Sequence, residues 1–318
     1  MAADLAQRLQ SPPAGPLFLD GPTGTQLEAA GFVSHPLLWT ASASVEAPDL
    51  LAAIHRRYVA AGAHCLTANT FRITAFAAQQ AGVDVARVRG WARQAVQLAR
   101  DACRQAADPR WVLGSMAPLC DCYQPAQVPP DAILDREHAR NADWLLDAGC
   151  DGLLIETQGS SREALCALRA ARRHFDGPVL LSFLLAEPGD RLLGGDGLVT
   201  TARACIDAGA TAILLNCAHF AVVQRGLQQL ATGLPTTDSG SRWLGAYPNA
   251  DRCERQGSDW RWVADPDARR LLLPRARQLW AQGARIVGLC CGFGPADLAQ
   301  MIAAISPARV LGPTETPP

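Results

Sequence analysis

Three features of the sequence predict a single-domain (β/α)8 TIM barrel: a joint repeated four times, the alternation in which it sits, and the residue types at the strand ends. The joint is a glycine followed by an apolar run. Ala61-Gly62-Ala63 precedes His64-Cys65-Leu66-Thr67-Ala68, and Ala148-Gly149-Cys150 precedes Asp151-Gly152-Leu153-Leu154-Ile155. Ala208-Gly209-Ala210 precedes Thr211-Ala212-Ile213-Leu214-Leu215, and Gln282-Gly283-Ala284 precedes Arg285-Ile286-Val287-Gly288. A left-handed glycine closes a helix at little cost, and an unbroken apolar run reads as a parallel strand buried on both faces.

The remaining elements follow in chain order. Strands are predicted at Pro16 to Asp20, Trp111 to Ser115, Pro178 to Leu184 and Trp243 to Tyr247, interleaved with the four above. Helical patterns run from Asp84 to Ala107, Asp131 to Ala148 and Pro266 to Gln282, the last with Leu279 and Trp280 on its apolar side. Eight alternations of strand and helix fit a closed barrel. An open doubly wound sheet is the competing arrangement, but the first β-α turn lacks the spaced glycines that hold a dinucleotide. Residues 1–306 are assigned to the barrel and 307–318, with Pro307, Pro313, Pro317 and Pro318, to a mobile tail. Pro118 to Pro130, Glu187 to Gly197 and Asn249 to Asp265 read as loops that form lids or substrate walls.

Composition narrows the function. A chain of 318 residues with 49% hydrophobic content and a formal charge of -1 suits one soluble domain, not a nucleic-acid binder. The start Met1-Ala2-Ala3-Asp4 does not read as a signal peptide, and no apolar run is long enough for a bilayer. Eleven cysteines, an odd number scattered through helices and strands, suggest a reducing, cytoplasmic setting. Cys65, Cys103, Cys150, Cys166 and Cys205 read as small buried hydrophobes. All 29 Lys-plus-Arg positions are arginine. Without lysine, neither Schiff-base chemistry nor a P-loop is available.

In a barrel, the C-terminal ends of the strands face one mouth. Those positions are Asp20, Asn69, Ser115, Glu156, Asn216 with Cys217, Tyr247 with Asn249, and Cys290 with Cys291. Three thiolates at strand ends would make a zinc site with its fourth position open, the usual layout of a catalytic zinc. Adjacent residues of a regular strand point to opposite faces, so Cys290 and Cys291 must lie where the strand breaks, at Gly292, Gly294 and Pro295. A vicinal disulfide and two unrelated core thiols are the rival readings. His219 reads as a surface residue or one that supports the ligands, and Cys120-x-Cys122 as loop residues. The Asp20-Gly21-Pro22-Thr23-Gly24-Thr25 turn exposes backbone N–H groups suited to a carboxylate or phosphate. Glu156, directly after a buried run, needs a partner: a substrate ammonium, or Arg162.

These segments, in this order, resemble the homocysteine S-methyltransferase family. The likeness rests on Asp20 to Thr25, Ala68-Asn69-Thr70-Phe71, Gly114-Ser115 with Pro118, Glu156-Thr157, Asn216-Cys217 and Cys290-Cys291-Gly292. It implies a zinc-dependent enzyme that moves a methyl group to the homocysteine thiol, giving methionine. It further implies zinc on Cys217, Cys290 and Cys291, the homocysteine amine on Glu156, and its amino-acid end in the Asp20 to Thr25 turn. Asp20, Gly21, Gly24, Thr25, Asn69, Ser115, Glu156 and Asn216 form the candidate substrate-binding set. The chain departs from the family pattern at Gly288-Leu289, where Gly-Gly is usual, at Phe71-Arg72, and in the Pro118 to Pro130 loop.

Three protein thiolates and one substrate thiolate leave a charge of about -2 around the metal, which favours a cationic methyl donor. S-methylmethionine or S-adenosylmethionine ranks first and betaine next, with Phe71, Tyr123, Tyr247 and Trp260 available as an aromatic cage. Two other classes compete: a metal-dependent lyase or aldolase, which would want oxygen or histidine ligands, and a non-catalytic zinc or thiol-sensing barrel. No feature assigns an oligomeric state.

Overall fold

Each predicted apolar run is buried on both faces because it lies between the barrel interior and a surrounding helix. The computed structural model describes residues 4–10, 15–234, 243–256 and 259–306, with backbone alone at 253–256, 259, 260 and 262. The tail at 307–318 lies outside the described residues. The barrel strands are β1 (Leu17–Phe18), β2 (Cys65–Thr67), β3 (Trp111–Met116), β4 (Gly152–Gln158), β5 (Val179–Phe183), β6 (Ala212–His219), β7 (Leu244–Asn249) and β8 (Ala284–Val287). All pair in parallel, in the order β1-β8-β7-β6-β5-β4-β3-β2. A single bridge, Leu19 to Cys65, closes the ring. The His64 amide donates to the Phe18 carbonyl (2.8 Å) and the Asp20 amide to the Cys65 carbonyl (3.0 Å) at the same seam. The architecture is a (β/α)8 barrel, not an open sheet.

Strand alternation sorts the core into two layers. Leu17, Leu113, Leu154, Leu180, Leu214 and Ile286 fill the interior. Their neighbours Phe18, Val112, Leu153, Leu181, Ile213 and Val287 face the helices. Each such side chain contributes about 1.5–3 kcal/mol on leaving water. A short helix, Leu5–Gln10, to which no element was assigned from sequence, sends Leu5 and Leu9 into the interior layer. Its Leu9 carbonyl accepts from Trp243 Nε1 at 2.6 Å.

The four joint glycines Gly62, Gly149, Gly209 and Gly283 have φ of 103°, 92°, 99° and 100°. At the first, the Gly62 and Ala63 amides turn back to the Val59 and Tyr58 carbonyls, ending the helix Pro48–Ala61.

Several boundaries differ from the sequence reading. The last predicted helix starts at Leu272, not Pro266, because Pro274 lacks an N–H and fits only the first turn. Asn249 to Asp265 is not a loop: Arg252–Gln256 and Asp259–Val263 form an antiparallel hairpin. Leu185–Ala186 and Arg191–Leu192 likewise pair across part of the second predicted loop. Cys65, Cys103 and Cys205 are buried as expected, whereas Cys150 and Cys166 are only half-buried. Among the described residues, no helix is long and apolar enough to cross a membrane.

Two glycine substitutions separate backbone from packing effects. At Gly283 a Cβ would meet nothing within 4 Å, so only the left-handed φ opposes it. At Gly245 a Cβ would lie 2.7 Å from the Ile286 carbonyl oxygen of β8. Gly283→Ala is expected to cost about 1–2 kcal/mol and Gly245→Ala about 3 kcal/mol, read from urea unfolding midpoints.

Candidate active site

The strand ends open on a cavity of about 660 Å³ whose walls include Asp20, Asn69, Ser115, Glu156, Asn216, Cys217, Cys290 and Cys291. The three sulfurs lie within 4.8 Å of one another, and no other group of three or more potential metal ligands occurs among the described residues. Tetrahedral zinc with Zn–S bonds of about 2.3 Å separates its sulfurs by about 3.8 Å. Cys290 Sγ and Cys291 Sγ stand 3.9 Å apart. Spacing and donor chemistry therefore fit a thiolate-bound metal.

Two local departures from strand geometry bring the sulfurs together. β6 does not stop at Cys217 but runs on to His219, and its register against β7 shifts between Asn216 and His219. Cys217 has φ 55°, a left-handed conformation uncommon for a side-chain-bearing residue. Beyond β8 the chain stays tethered to the end of β7: the Cys290 amide donates to the Pro248 carbonyl (2.8 Å), and the Cys291 carbonyl accepts from the Ala250 amide (2.8 Å). Gly292, at φ 86°, completes the turn. Outside the pleat, adjacent cysteines face the same centre. Hydrogen bonds from Cys290 and Cys291 hold the Cys217 thiol well below its ordinary range. The same contacts push the Cys290 and Cys291 thiols well above theirs.

Two buried carboxyls share the cavity. Glu156, 9% exposed, accepts from Ser115 Oγ and from the Tyr247 hydroxyl (3.1 Å). Asp20, 4% exposed, accepts the Thr67 amide at Oδ2 (2.9 Å). Loss of hydration raises Glu156 to about 7, against the hydrogen bonds from Ser115 and Tyr247. It raises Asp20 to about 8, with a smaller contribution from the Glu156 charge. Arg162 is not the partner of Glu156. Its guanidinium binds Asp131 (2.6 Å) and the Val128 and Pro129 carbonyls, because the helix Ser161–Arg172 directs it outward.

Other candidate residues are already engaged. Asn216 accepts from Ser182 Oγ (2.7 Å) and donates to Thr157 Oγ1 (2.9 Å). Asn69 pairs through its side chain with Thr40. Gly21 and Gly24 admit close neighbours: a Cβ on Gly21 would lie 2.7 Å from the Tyr58 hydroxyl, and one on Gly24 2.3 Å from the Trp39 ring. The Thr23 and Thr25 hydroxyls are buried without partners among the described residues. His219 is buried, not at the surface; its Nε2 pairs with Asp265 (2.9 Å) and its Nδ1 accepts the Ala221 amide.

Trp39 and Glu28 escaped the sequence reading, and Cys122 and Tyr123 take roles other than the loop and cage places expected of them. Trp39, from a stretch without periodicity, adopts φ 48° and packs edge-on to Phe71 at 5.9 Å between centroids. Glu28 fixes it through Nε1 (2.8 Å). Cys120 and Cys122 both line the cavity; Cys122 is buried, and the half-buried Cys120 gives its carbonyl to Arg72 (2.7 Å). Next to Cys122, the Tyr123 hydroxyl reaches Cys217 Sγ at 3.2 Å. Tyr123 and Tyr247 are therefore tied to a sulfur and a carboxyl, and Phe71 of the expected aromatic cage packs against the Trp39 ring. The Trp260 side chain lies outside the described residues.

Comparison with known proteins gives the same assignment. Residues 17–305 match the sequence model of the family described as homocysteine S-methyltransferase. The Escherichia coli homocysteine S-methyltransferase is 30% identical over 306 residues, covering 90% of this chain and 94% of the relative. The Mycobacterium tuberculosis methionine synthase is 28% identical over 309 residues, covering 90% of this chain but 24% of that longer protein. The crystal structure of the metallated homocysteine methyltransferase MmuM from Escherichia coli superposes with a TM-score of 0.76 at 28% identity. That alignment covers 91% of this chain and 96% of the other. The barrel, the sulfur cluster at its strand ends and a match over nearly the whole chain establish that this protein belongs to the homocysteine S-methyltransferase family.

Proposed function

We propose zinc as the metal of this homocysteine methyltransferase, held by Cys217, Cys290 and Cys291, and a small methylated cation as its methyl donor. The reading is carried by one observation: three sulfurs and two buried carboxyls line the same cavity. A purely thiolate ligand set suits zinc and disfavours the harder ions that a lyase or aldolase would use. When bound, zinc supplies the Lewis acidity that lets a fourth, substrate sulfur lose its proton at neutral pH.

The chain's own residues then position the acceptor. The homocysteine ammonium takes Glu156 as its counter-charge, with Asp20 on the same wall. The segment expected as a turn is Gly21-Pro22 followed by the first turn of the helix Thr23–Ala29; the amino-acid carboxylate lies there, where the Thr23 and Thr25 hydroxyls have no partner among the described residues. Ser115 acts by orienting Glu156, and Asn216 and Asn69 by fixing the walls through Thr157 and Thr40. Methyl transfer is an in-line displacement that mainly needs positioning. The excess negative charge of the thiolates, with the Trp39 and Phe71 rings close by, favours a donor that loses positive charge as the methyl leaves. S-methylmethionine and S-adenosylmethionine rank ahead of betaine.

Methionine formation, followed by mass spectrometry with zinc-loaded protein, homocysteine and each methyl donor separately, is expected from a sulfonium. No methionine from any of them, with zinc bound, would overturn the donor assignment. Cys291→Ser is expected to weaken zinc binding by at least about a hundredfold, since partners one shell further out are worth up to that much. It should also abolish turnover while the circular dichroism of the barrel persists; unfolding on metal loss would favour a structural zinc.

The raised carboxyls give two further expectations. Methionine has an ammonium but no thiol, so its binding at pH 7 is expected to release protons as Glu156 and Asp20 ionise. Calorimetry in buffers of different ionisation enthalpy reads this release, and Glu156→Gln should reduce it. Because both folded-state values lie above the ordinary ones, 4.5 and 3.8, folding takes up protons. The associated stability is complete below about pH 4 and is lost as pH rises through about 7 and 8. Between pH 5 and 8, the metal-free Glu156→Gln variant should therefore lose less thermal stability than the parent protein.

A further inference from the structure

The methyl-transfer reading makes no use of Tyr123, yet its hydroxyl points at a ligand sulfur. The oxygen lies 3.2 Å from Cys217 Sγ and 3.5 Å from the Cys217 carbonyl oxygen. Among the described residues, the other side-chain N–H directed at the cluster is Asn249 Nδ2, 4.0 Å from the same sulfur. Cys290 and Cys291 have one another. The hydrogen bonding is therefore lopsided and falls on Cys217.

The loop that carries Tyr123 is anchored on both sides of it. Upstream, the Leu119 amide donates to buried Glu163 (2.8 Å), which also meets His138 Nε2 (3.1 Å). Arg72 holds the Cys120 carbonyl at 2.7 Å. Downstream, the Gln124 amide closes a turn onto the Asp121 carbonyl at 2.9 Å.

We propose that Tyr123 is a positioning residue whose hydroxyl donates to the Cys217 thiolate and sets how much charge the cysteine cluster lends its metal. This inference rests on the zinc reading above. Hydrogen bonds to an ionised acceptor are about twice as strong as neutral ones, so the thiolate outcompetes the carbonyl for this proton. Electron density shared with the phenol is withheld from the cation. A metal supplied with less charge draws a fourth sulfur more strongly but leaves that sulfur less reactive. Tyr123 thus trades intrinsic methyl-transfer rate for capture of the substrate thiol.

The test compares the full-length chain with Tyr123→Phe, each loaded with zinc or with cobalt(II) as a spectroscopic probe. With metal stoichiometry unchanged, homocysteine affinity by calorimetry is expected to fall roughly three- to tenfold. Single-turnover methyl transfer at saturating homocysteine should accelerate, and the sulfur-to-cobalt charge-transfer band should move to lower energy. Incorporation of 3-fluorotyrosine at position 123, whose phenol is the stronger hydrogen-bond donor, should move the band the other way. An unmoved band in both variants, or binding and transfer falling together without a band shift, would make Tyr123 a loop anchor and overturn the proposal. If Tyr123→Phe fails to hold metal, the fluorotyrosine protein decides alone. The cobalt band needs no methyl donor, so its shift would stand even if no donor gave methionine.

Discussion

A β-strand alternates its side chains between two faces, and a site built from neighbouring residues must therefore break that alternation. The chain does so at three strand ends. Cys217 in β6 and Thr157 in β4 adopt φ of 55° and 62°, and Cys290-Cys291 leave β8 altogether before a turn at Gly292. Left-handed conformations for such residues cost of order 1–3 kcal/mol each, and the β-branched Thr157 is the less comfortable of the two. The strain lies next to Glu156 and to Asn216, where a regular strand would send half of the needed groups into the barrel core.

What holds these conformations is a buried polar chain. Ser182, Asn216 and Thr157 hydrogen-bond in series across β5, β6 and β4. All three side chains are removed from water, so releasing either left-handed residue would strand an amide or hydroxyl without a partner. The register shifts of β4 against β5 and of β6 against β7 fall at these points. The Cys217 sulfur and the Glu156 carboxyl, on strands separated by β5, are thus fixed by one shared network.

Much of this was legible in the sequence because it follows from residue type. The four glycine joints marked the helix ends, and polar or sulfur-bearing residues after apolar runs marked the mouth of the barrel. What stayed hidden depended on conformations that residue type does not advertise. Nothing about cysteine, threonine or tryptophan announces a positive φ, so the kinks at Cys217, Thr157 and Trp39 were unreadable. Tyr123 sits in a loop whose path is set by distant anchors at Arg72 and Glu163. The hairpin after β7 was missed although Trp260-Arg261-Trp262 alternates with period two, because the charges around it read as loop. Arg162 looked near enough to Glu156 in sequence to pair with it, but helix phase turned it away.

The seam of the barrel gives Asp20 a second life. Its amide donates to Cys65, its carboxyl accepts from Thr67, and its carbonyl accepts from Leu289, one residue before the cysteine pair. One residue therefore locks the first strand to the second, steadies the approach to Cys290 and Cys291 and offers a carboxyl to the cavity. The keystone of the arch and the threshold of the binding chamber are the same stone. Recognition at this position cannot be retuned by substitution without also touching how the ring is shut.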